Sequence, residues 1–240
     1  MSKLQQRFNE GWWQKLSPFF ASKAFAGIKE TLKNEIMLGK RITPNFDDTY
    51  RAFKECPYDK LKVVILGLDP YPGVNATIDR QLIADGIAFS ARYNLIDPPV
   101  SLRYIFSAIE KDCYGGFGIG FNEEYEHPDL TRWANQGVLC INQALSTVVG
   151  KTGEHLLLWK PFIKYVFQVL AQYNTGLVFI LLGSKAKEWR GFINEGANYV
   201  LTATHPASCA YKGLKEWDCN KVFSQCNEIL EKDGQTKILW

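Results

Sequence analysis

The segment from Lys62 to Gly73 constrains the fold of this chain more than any other stretch. It opens with residues 63–66, a β-branched apolar run with the length and composition of a strand buried on both faces. The run stops at Gly67, and Asp69 and Pro70 follow. Ligands of open parallel sheets bind just beyond the carboxyl ends of the strands, so a carboxylate here is well placed for chemistry. The alternative interpretation is that Asp-Pro only forms the turn by which the chain leaves the strand.

Three further apolar runs have the character of buried strands and alternate with helical patterns. They cover residues 138–141, 177–182 and 199–202. Strands that alternate with helices predict an α/β fold with a central four-stranded, mostly parallel sheet and helices on both faces. We expect a single domain over residues 1–240, in which residues 61–240 form the core and residues 1–60 form a helical N-terminal layer.

The N-terminal layer contains apolar residues at roughly helical spacing. This stripe consists of Phe19, Phe20, Phe25, Ile28, Leu32, Ile36 and Met37. Apolar residues on one side of a helix normally face the core. The pattern therefore predicts helical structure that covers one face of the sheet.

Composition places only broad limits on function. The formal net charge of +3 is compatible with a nucleic-acid ligand but is weak support for one. No apolar run reaches the length of a membrane span, and residues 1–10 lack the apolar segment of a signal peptide. We therefore expect a cytoplasmic or nuclear protein that is not secreted and does not bind a membrane. The six cysteines form no Cys-x-x-Cys pair and the three histidines are scattered, so we expect free thiols and no metal site.

Polar side chains follow each of the four predicted strands. They are Asp69, Asn142, Ser184 and His205. Right-handed crossovers bring the carboxyl ends of parallel strands to one rim, so these side chains should meet. A carboxylate can stabilise a cation or orient a water, and a neutral histidine can donate to a developing oxyanion. An asparagine can bond the edge of a base, and a Gly-Ser turn can hold a phosphate. The set suits cleavage of a bond whose leaving group departs as an anion near a phosphate backbone.

Five ordered blocks of sequence carry a resemblance to a known family. They are Gly-Leu-Asp-Pro-Tyr-Pro at 67–72, Gly-Ile-Ala-Phe-Ser at 86–90, Pro-Pro-Val-Ser-Leu at 98–102, the tract 133–142, and Gly183-Ser184 with His205-Pro206. With these blocks the chain resembles the family 1 uracil-DNA glycosylases. The catalytic loop of that family is Gly-Gln-Asp-Pro-Tyr-His, and its tract Trp-Ala-x-Gln-Gly-Val-Leu-x-x-Asn matches residues 133–142 throughout. Trp240 stands where the family has a final aromatic residue, whereas the first 60 residues add little.

The resemblance implies a uracil-DNA glycosylase of base excision repair, with a role for each pocket residue. Phe89 would stack on a uracil flipped out of the duplex, and Asn142 would bond its Watson–Crick edge. Tyr71 would stand against C5 and exclude the methyl group of thymine. Asp69 would stabilise the sugar oxocarbenium ion and position the attacking water. His205, uncharged, would donate to the uracil O2 as negative charge accumulates there.

The resemblance also implies contacts with the DNA backbone and with partners. The residues that would contact phosphates are Pro98, Pro99, Ser101, Gly183 and Ser184. Ser101 is also expected to cap the helix that follows it. The minor-groove loop would comprise Pro206, Ala207, Ser208, Cys209, Ala210 and Tyr211. The implied partner is uracil-containing DNA, single- or double-stranded, with no metal or organic cofactor. A proteinaceous glycosylase inhibitor and replication proteins are candidate partners of what we expect to be a monomer.

The catalytic loop departs from the family pattern at two positions. Leu68, in the uracil-binding part of the loop, and Pro72 replace the usual glutamine and histidine. Proline has no side-chain donor, so any contact made by that histidine is lost. The poxvirus members of the family have a similar Asp-Pro-Tyr-Pro loop, so the change does not by itself abolish catalysis. The segment 73–85 that follows is also longer than usual.

The minor-groove loop departs as well. The leucine that the family inserts into the base stack falls on Cys209, and a phosphate-binding serine falls on Ala207. A smaller wedge should stabilise the flipped state less. Tyr211 or Lys212 is the candidate substitute.

Three other functions stay open at this point. Altered base preference is suggested by Leu68 and by the long loop, and is opposed by the retained Tyr71 and Asn142. A DNA-binding or replication-scaffold protein with little turnover is suggested by the weakened wedge and opposed by the retained Asp69 and His205. An unrelated α/β hydrolase is disfavoured because the chain has no nucleophile elbow.

Overall fold

The structure is a computed structural model that describes residues 2–75, 79–116 and 127–240. Its strands are β1 (Ile42–Thr43), β2 (Val63–Gly67), β3 (Val138–Asn142), β4 (Thr147–Val148), β5 (Val178–Leu182) and β6 (Tyr199–Ala203). The main sheet has four strands in the order β3-β2-β5-β6, and all of its pairings are parallel. The predicted four-stranded sheet is confirmed. Residues 76–78 of the long segment 73–85 lie outside the described residues.

Helices surround this sheet. The α-helices of the described residues are α1 (Glu10–Phe20), α2 (Lys23–Met37), α3 (Arg51–Glu55), α4 (Val100–Tyr114), α5 (Thr131–Asn135), α6 (Leu156–Tyr173), α7 (Ser184–Lys187), α8 (Ala207–Tyr211) and α9 (Val222–Lys232). Short 3-10 turns cover Gln5–Arg7, Tyr58–Lys60 and Glu188–Phe192. The predicted α/β fold is confirmed, whereas the extent of the domain over residues 1–240 stays a prediction.

Strand β2 lies inside the sheet and is buried along its whole length. Its apolar side chains pack on both faces, where burial of each contributes roughly 1.5–3 kcal/mol relative to exposure. Gly67, its last residue, lies opposite Asn142 of β3, and Leu66 lies opposite Leu181 of β5. This register brings the carboxyl ends of the strands to one edge of the sheet.

The N-terminal layer consists of two helices. α1 ends at Phe20, and the hydroxyl of Ser22 caps α2 by accepting a 3.2 Å hydrogen bond from the amide of Phe25. Of the apolar stripe, Phe19, Phe25 and Ile28 are buried, and Phe20 and Leu32 are partly buried against the core. At the end of α2 the expectation is wrong, because Met37 is 73% exposed and its neighbour Ile36 60% exposed. Glu35 of that turn faces inward, toward His155, and this leaves the two apolar side chains outside.

A second, two-stranded sheet joins the end of this layer to the loop after β3. β1 and β4 pair antiparallel, with Ile42 opposite Val148 and Thr43 opposite Thr147. The sequence pattern did not predict this sheet, since each strand has only two residues. The pairing lies beside the loop after β2: the hydroxyl of Thr43 donates a 3.4 Å hydrogen bond to the carbonyl of Tyr71, and the amide of Gly150 donates a 2.9 Å hydrogen bond to the carbonyl of Pro72.

Three general features bear on function. No helix within the described ranges is long and apolar enough to cross a membrane. The six cysteines are free thiols, of which Cys113 is half-buried and the others are buried. Among the described residues, no group of three or more His, Cys, Asp or Glu side chains could hold a metal ion.

Candidate active site

A cavity of about 350 Å³ opens at the carboxyl edge of the main sheet. It brings together the residues that follow β2, β3, β5 and β6, which are distant in sequence. The predicted site residues that line it are Leu68, Asp69, Tyr71, Phe89, Ser101, Asn142, Gly183, Ser184, His205, Ala207 and Tyr211. The predicted residues outside its lining are Pro98, Pro99, Pro206, Ser208, Cys209 and Ala210. The four strand-end side chains therefore meet in one cavity.

Asp69 is held in the cavity wall by a backbone amide. Its Oδ2 accepts a hydrogen bond of 2.6 Å from the N–H of Gly153. Burial raises the pKa of the Asp69 carboxyl, and the hydrogen bond from Gly153 acts in the opposite direction. A half-buried carboxylate with one fixed oxygen can stabilise a nearby cation or orient a water.

The loop that carries Gly153 is anchored by a buried relay of side chains. Ser146 Oγ lies 2.9 Å from Nδ1 of His155, and Nε2 of His155 lies 2.7 Å from Glu35 in α2. Trp159 donates a further 2.7 Å hydrogen bond to Ser146. The set resembles a serine hydrolase triad, but Ser146 is only 2% exposed and cannot reach a substrate. The buried relay therefore has a structural role: it holds the loop that carries Gly153 against the core.

His205 lines the cavity with its tautomer set by a backbone amide. Its Nδ1 accepts a 3.2 Å hydrogen bond from the amide of Ala207, so the proton of the neutral ring lies on Nε2. Burial lowers the pKa of His205, which favours this neutral form. Gly183 packs against it, since a Cβ atom there would lie 2.9 Å from Cβ of His205. A neutral imidazole donor is thus fixed in the wall.

Phe89 supplies a flat apolar wall in a strained backbone conformation. Its φ of +67° is left-handed, which costs a bulky residue about 1–3 kcal/mol and persists only where the surroundings impose it. The ring is buried, with its centroid 6.1 Å from that of the His205 ring. Strain of this kind often marks a functional site.

Tyr71 is fixed by two hydrogen bonds at its hydroxyl. It donates to the carbonyl of Phe89 at 3.1 Å and lies 2.9 Å from Oγ of Ser101, which therefore donates to it. Burial raises the pKa of Tyr71, so the phenol keeps its proton. The expectation that Ser101 caps α4 is wrong: the helix begins at Val100 with Pro99 as its cap, and the serine hydroxyl is turned to Tyr71.

Asn142 stands directly beside the end of β2. A Cβ atom on Gly67 would lie 2.3 Å from the Oδ1 of Asn142 and 3.4 Å from the ring of Phe89. The amide side chain therefore occupies space that only a glycine leaves open. It reaches the cavity next to the aromatic wall.

The predicted minor-groove loop folds as the short helix α8. Cys209, the position that the resemblance assigns to the wedge, is only 5% exposed, because it is packed into the core. Tyr211 is 90% exposed and lines the cavity. Of the two residues at the ends of α8 that line the cavity, Ala207 and Tyr211, the tyrosine carries the large exposed side chain.

Comparison with known proteins agrees with this geometry. The sequence model of the uracil DNA glycosylase superfamily matches residues 53–231. A uracil-DNA glycosylase of Phocaeicola vulgatus is 36% identical over 236 residues, which are 98% of this chain and 99% of the relative. One from Acinetobacter baumannii is 35% identical over 100% of this chain and 94% of its own length.

Solved structures show the same fold. The crystal structure of a mimivirus uracil-DNA glycosylase superposes with a TM-score of 0.84 at 23% identity, covering 100% of this chain and 89% of that one. A mimivirus UNG variant in complex with UGI superposes with a TM-score of 0.86 at 23% identity, covering 100% of this chain and 91% of that one. By sequence and by fold, this chain belongs to the uracil DNA glycosylase superfamily.

Proposed function

We propose that this protein is a family 1 uracil-DNA glycosylase, which flips deoxyuridine out of DNA and hydrolyses the bond between uracil and the sugar. The observation that carries the proposal is one cavity lined by a half-buried carboxylate, an amide, an aromatic ring and a neutral imidazole whose proton lies on Nε2. The names of relatives that match nearly the whole chain support the same activity.

Recognition of the base is assigned to three side chains. Phe89 stacks on the flipped uracil, and Asn142 bonds its Watson–Crick edge, which repays an unstacking cost of a few kcal/mol. Tyr71, pinned at its hydroxyl, stands against C5 and leaves no room for the thymine methyl group. Leu68 adds apolar surface at the same wall.

The chemical step follows from the two catalytic residues. The C1′–N1 bond breaks, its electron pair goes to the uracil ring, and negative charge collects on O2. His205 donates a hydrogen bond from Nε2 to that oxygen, as a preorganised donor in a partly buried site. Asp69 stabilises the cationic sugar and orients a water toward C1′. The water then adds to C1′ and passes its proton to Asp69, which returns it to solvent, and the uracil anion takes up a proton from solvent, leaving an abasic sugar and uracil.

Contacts with DNA are assigned to the cavity rim. Ser184 is exposed and follows Gly183, which has a φ of +93°. We assign phosphate contacts to this pair, to the Pro98-Pro99 turn and to Ser101, although the hydroxyl of Ser101 also supports Tyr71. The exposure of Tyr211 supports its role as the wedge in place of Cys209. We also assign residues 67–72 as a catalytic loop of the poxvirus type, in which Pro72 replaces the usual histidine.

Proteins are also candidate partners. Two mimivirus UNG variants whose structures resemble this fold were solved in complex with UGI, a proteinaceous inhibitor. We propose that an inhibitor of that kind also binds this chain, which we expect to be a monomer. Replication proteins are further candidates.

Release of free base from oligonucleotides tests the proposal. Uracil, thymine and cytosine are placed at one position of matched single and double strands. Wild type should release uracil alone, more readily from the single strand, where no opposing base has to be replaced. Asp69→Asn and His205→Ala should each lower the rate at least about 100-fold. Asp59→Asn, an exposed aspartate before the amino end of β2, is the matched control and should keep full activity.

Two outcomes would favour the other functions. Binding of uracil-containing DNA without release of any base would support the scaffold. Release of thymine or of a modified pyrimidine would support altered base preference.

A further inference from the structure

We propose that Asp85 and Arg51 form a buried positioning pair that holds Phe89, and through it Tyr71, in the geometry that selects the base. The inference rests on the proposed function, because it concerns how the base-recognition wall is kept in place. Residues 85–92 are called the Phe89 loop below. Neither member of the pair lines the cavity.

The buried side chain of Asp85 holds the Phe89 loop together through hydrogen bonds. Its side chain is fully buried, at 0% exposure. It accepts hydrogen bonds from groups of its own loop: the amide of Ile87 at 3.2 Å, the hydroxyl of Ser90 at 2.7 Å and the amide of Arg92 at 2.9 Å. One carboxylate therefore ties together the residues on both sides of Phe89. Charge-assisted hydrogen bonds of this kind are among the stronger ones in proteins.

Arg51 compensates the negative charge of this buried carboxylate. Its Nη1 lies 3.0 Å from Asp85 Oδ2, and the arginine is itself only 7% exposed. Its Nη2 pairs with Asp129 at 2.8 Å, so one guanidinium connects the Phe89 loop to the segment before α5. A buried charge is retained only when it is paired, and removal of one partner leaves the other uncompensated.

The Phe89 loop is also fastened to α3 and the residues before it. Gly86 packs so closely that a Cβ atom would lie 1.7 Å from the carbonyl oxygen of Asp48. The same Asp48 pairs with Arg92 at 2.8 Å, and the amide of Ala52 donates to the carbonyl of Gly86 at 3.3 Å. These contacts give the loop one position relative to the core.

Phe89 is the residue that needs such support. It is the non-glycine residue of the Phe89 loop with a left-handed backbone, at a φ of +67°. A bulky side chain leaves that region unless its neighbours prevent it. The carboxylate of Asp85 fixes the loop on both sides of Phe89 and so opposes the relaxation.

Tyr71 depends on the same loop. Its hydroxyl donates to the carbonyl of Phe89, so a change in the backbone at Phe89 moves its acceptor. The ring of Phe89, assigned to stacking, and the ring of Tyr71, assigned to exclusion of a methyl group, are therefore coupled through the backbone carbonyl of Phe89. Asp85 and Arg51 are positioning residues for both.

Steady-state kinetics on a single-stranded uracil oligonucleotide test this assignment. Asp85→Asn should lower kcat/KM at least about ten-fold and weaken inhibition by free uracil by a similar factor, because the stacking wall is displaced. Asp129→Asn is the matched control: it weakens a second ion pair of the same arginine, which also faces Glu55 at 3.9 Å, but removes no bond within the Phe89 loop. It should change both quantities less than about three-fold.

A double-mutant cycle separates positioning from general stability. In a Phe89→Ala background the addition of Asp85→Asn should cost about three-fold instead of ten-fold, because the stacking ring is gone and only the support of Tyr71 through the carbonyl of residue 89 is still lost. If the two losses simply multiply, or if Asp129→Asn is as harmful as Asp85→Asn, the assignment is wrong.

A milder variant covers the case in which Asp85→Asn does not fold. Ser90→Ala removes one hydrogen bond to Asp85, together with the contacts of the same hydroxyl with Pro128 and Leu130, and should lower kcat/KM about three- to ten-fold, with a smaller effect in the Phe89→Ala background. An equal loss in both backgrounds would overturn the assignment. Failure of the proposed function is seen separately, as a wild type that releases no uracil from any substrate.

Discussion

Asn142 occupies the space that a side chain on Gly67 would need, with its Oδ1 only 2.3 Å from the position of the missing Cβ atom. The parallel register of β2 and β3 places these two residues opposite each other at the cavity. The amide that we assign to base recognition is therefore positioned by a glycine on the neighbouring strand.

The substitution Gly67→Ala should displace Asn142 without unfolding the protein. The added methyl group meets the side-chain amide, so we expect kcat/KM for uracil release to fall about 10- to 100-fold. Gly27→Ala is the matched control, since no atom lies within 4 Å of its added Cβ in the middle of α2. It should keep full activity and stabilise the fold by about 0.5–1 kcal/mol in a thermal unfolding experiment. Equal activity of the two variants would contradict the role of Asn142.

Tyr71→Ala should admit thymine to the cavity. Removal of the ring opens the space at C5, so thymine release becomes measurable while uracil release falls about ten-fold. Tyr71→Phe is the control, because it keeps the ring and loses only the hydrogen bonds of the hydroxyl. It should still exclude thymine. If thymine stays refractory in Tyr71→Ala, another group excludes the methyl.

Tyr211→Ala should impair activity on duplex DNA selectively. Its side chain is 90% exposed at the cavity, and stacking of an aromatic ring on a base is worth about 1–3 kcal/mol. We expect release from a duplex to fall about ten-fold or more and release from a single strand to change less than about three-fold. Tyr173→Ala, an exposed tyrosine at the far end of α6, serves as the control. Equal losses on both substrates would argue against a wedge.

The pH dependence of release should show an acid limb below neutrality. Asp69 must be ionised, and burial raises its pKa above the ordinary 3.8. His205 must be neutral, and burial lowers its pKa below the ordinary 6.5. Both groups take up a proton as the pH falls, so kcat/KM should decline between these two values and stay level from there to about pH 8. A limb centred above pH 6.5 would mean that His205 has no lowered pKa.

The sequence alone predicts the sheet and the meeting of its strand ends. Runs such as 63–66 are apolar throughout because they are buried on both faces, and parallel connections leave their carboxyl ends at one edge. Phe89 follows no strand, and Tyr71 lies two residues beyond Asp69 in the loop after β2, so their roles in the pocket came from the resemblance to a family. Local sequence patterns are therefore enough to predict elements that form because their apolar side chains are buried.

Local sequence patterns could not predict the polar contacts between residues distant in sequence. Glu35 and His155 are 120 residues apart, and no spacing rule indicates that they meet. Ser101 has the sequence context of a helix cap, but the hydroxyl of Tyr71 takes its hydrogen bond. Cys209 aligns with an inserted leucine but is packed into the core, which only the fold of α8 reveals.

A crystal structure with a single-stranded oligonucleotide that carries a hydrolysis-resistant deoxyuridine analogue tests the central claim most directly. We expect the uracil to lie on the ring of Phe89 with its edge on the amide of Asn142. The Nε2 of His205 should be within hydrogen-bond distance of O2, about 2.7–3.1 Å, and the carboxylate of Asp69 should face C1′. A base bound outside this cavity, or one whose O2 points away from His205, would contradict the claim.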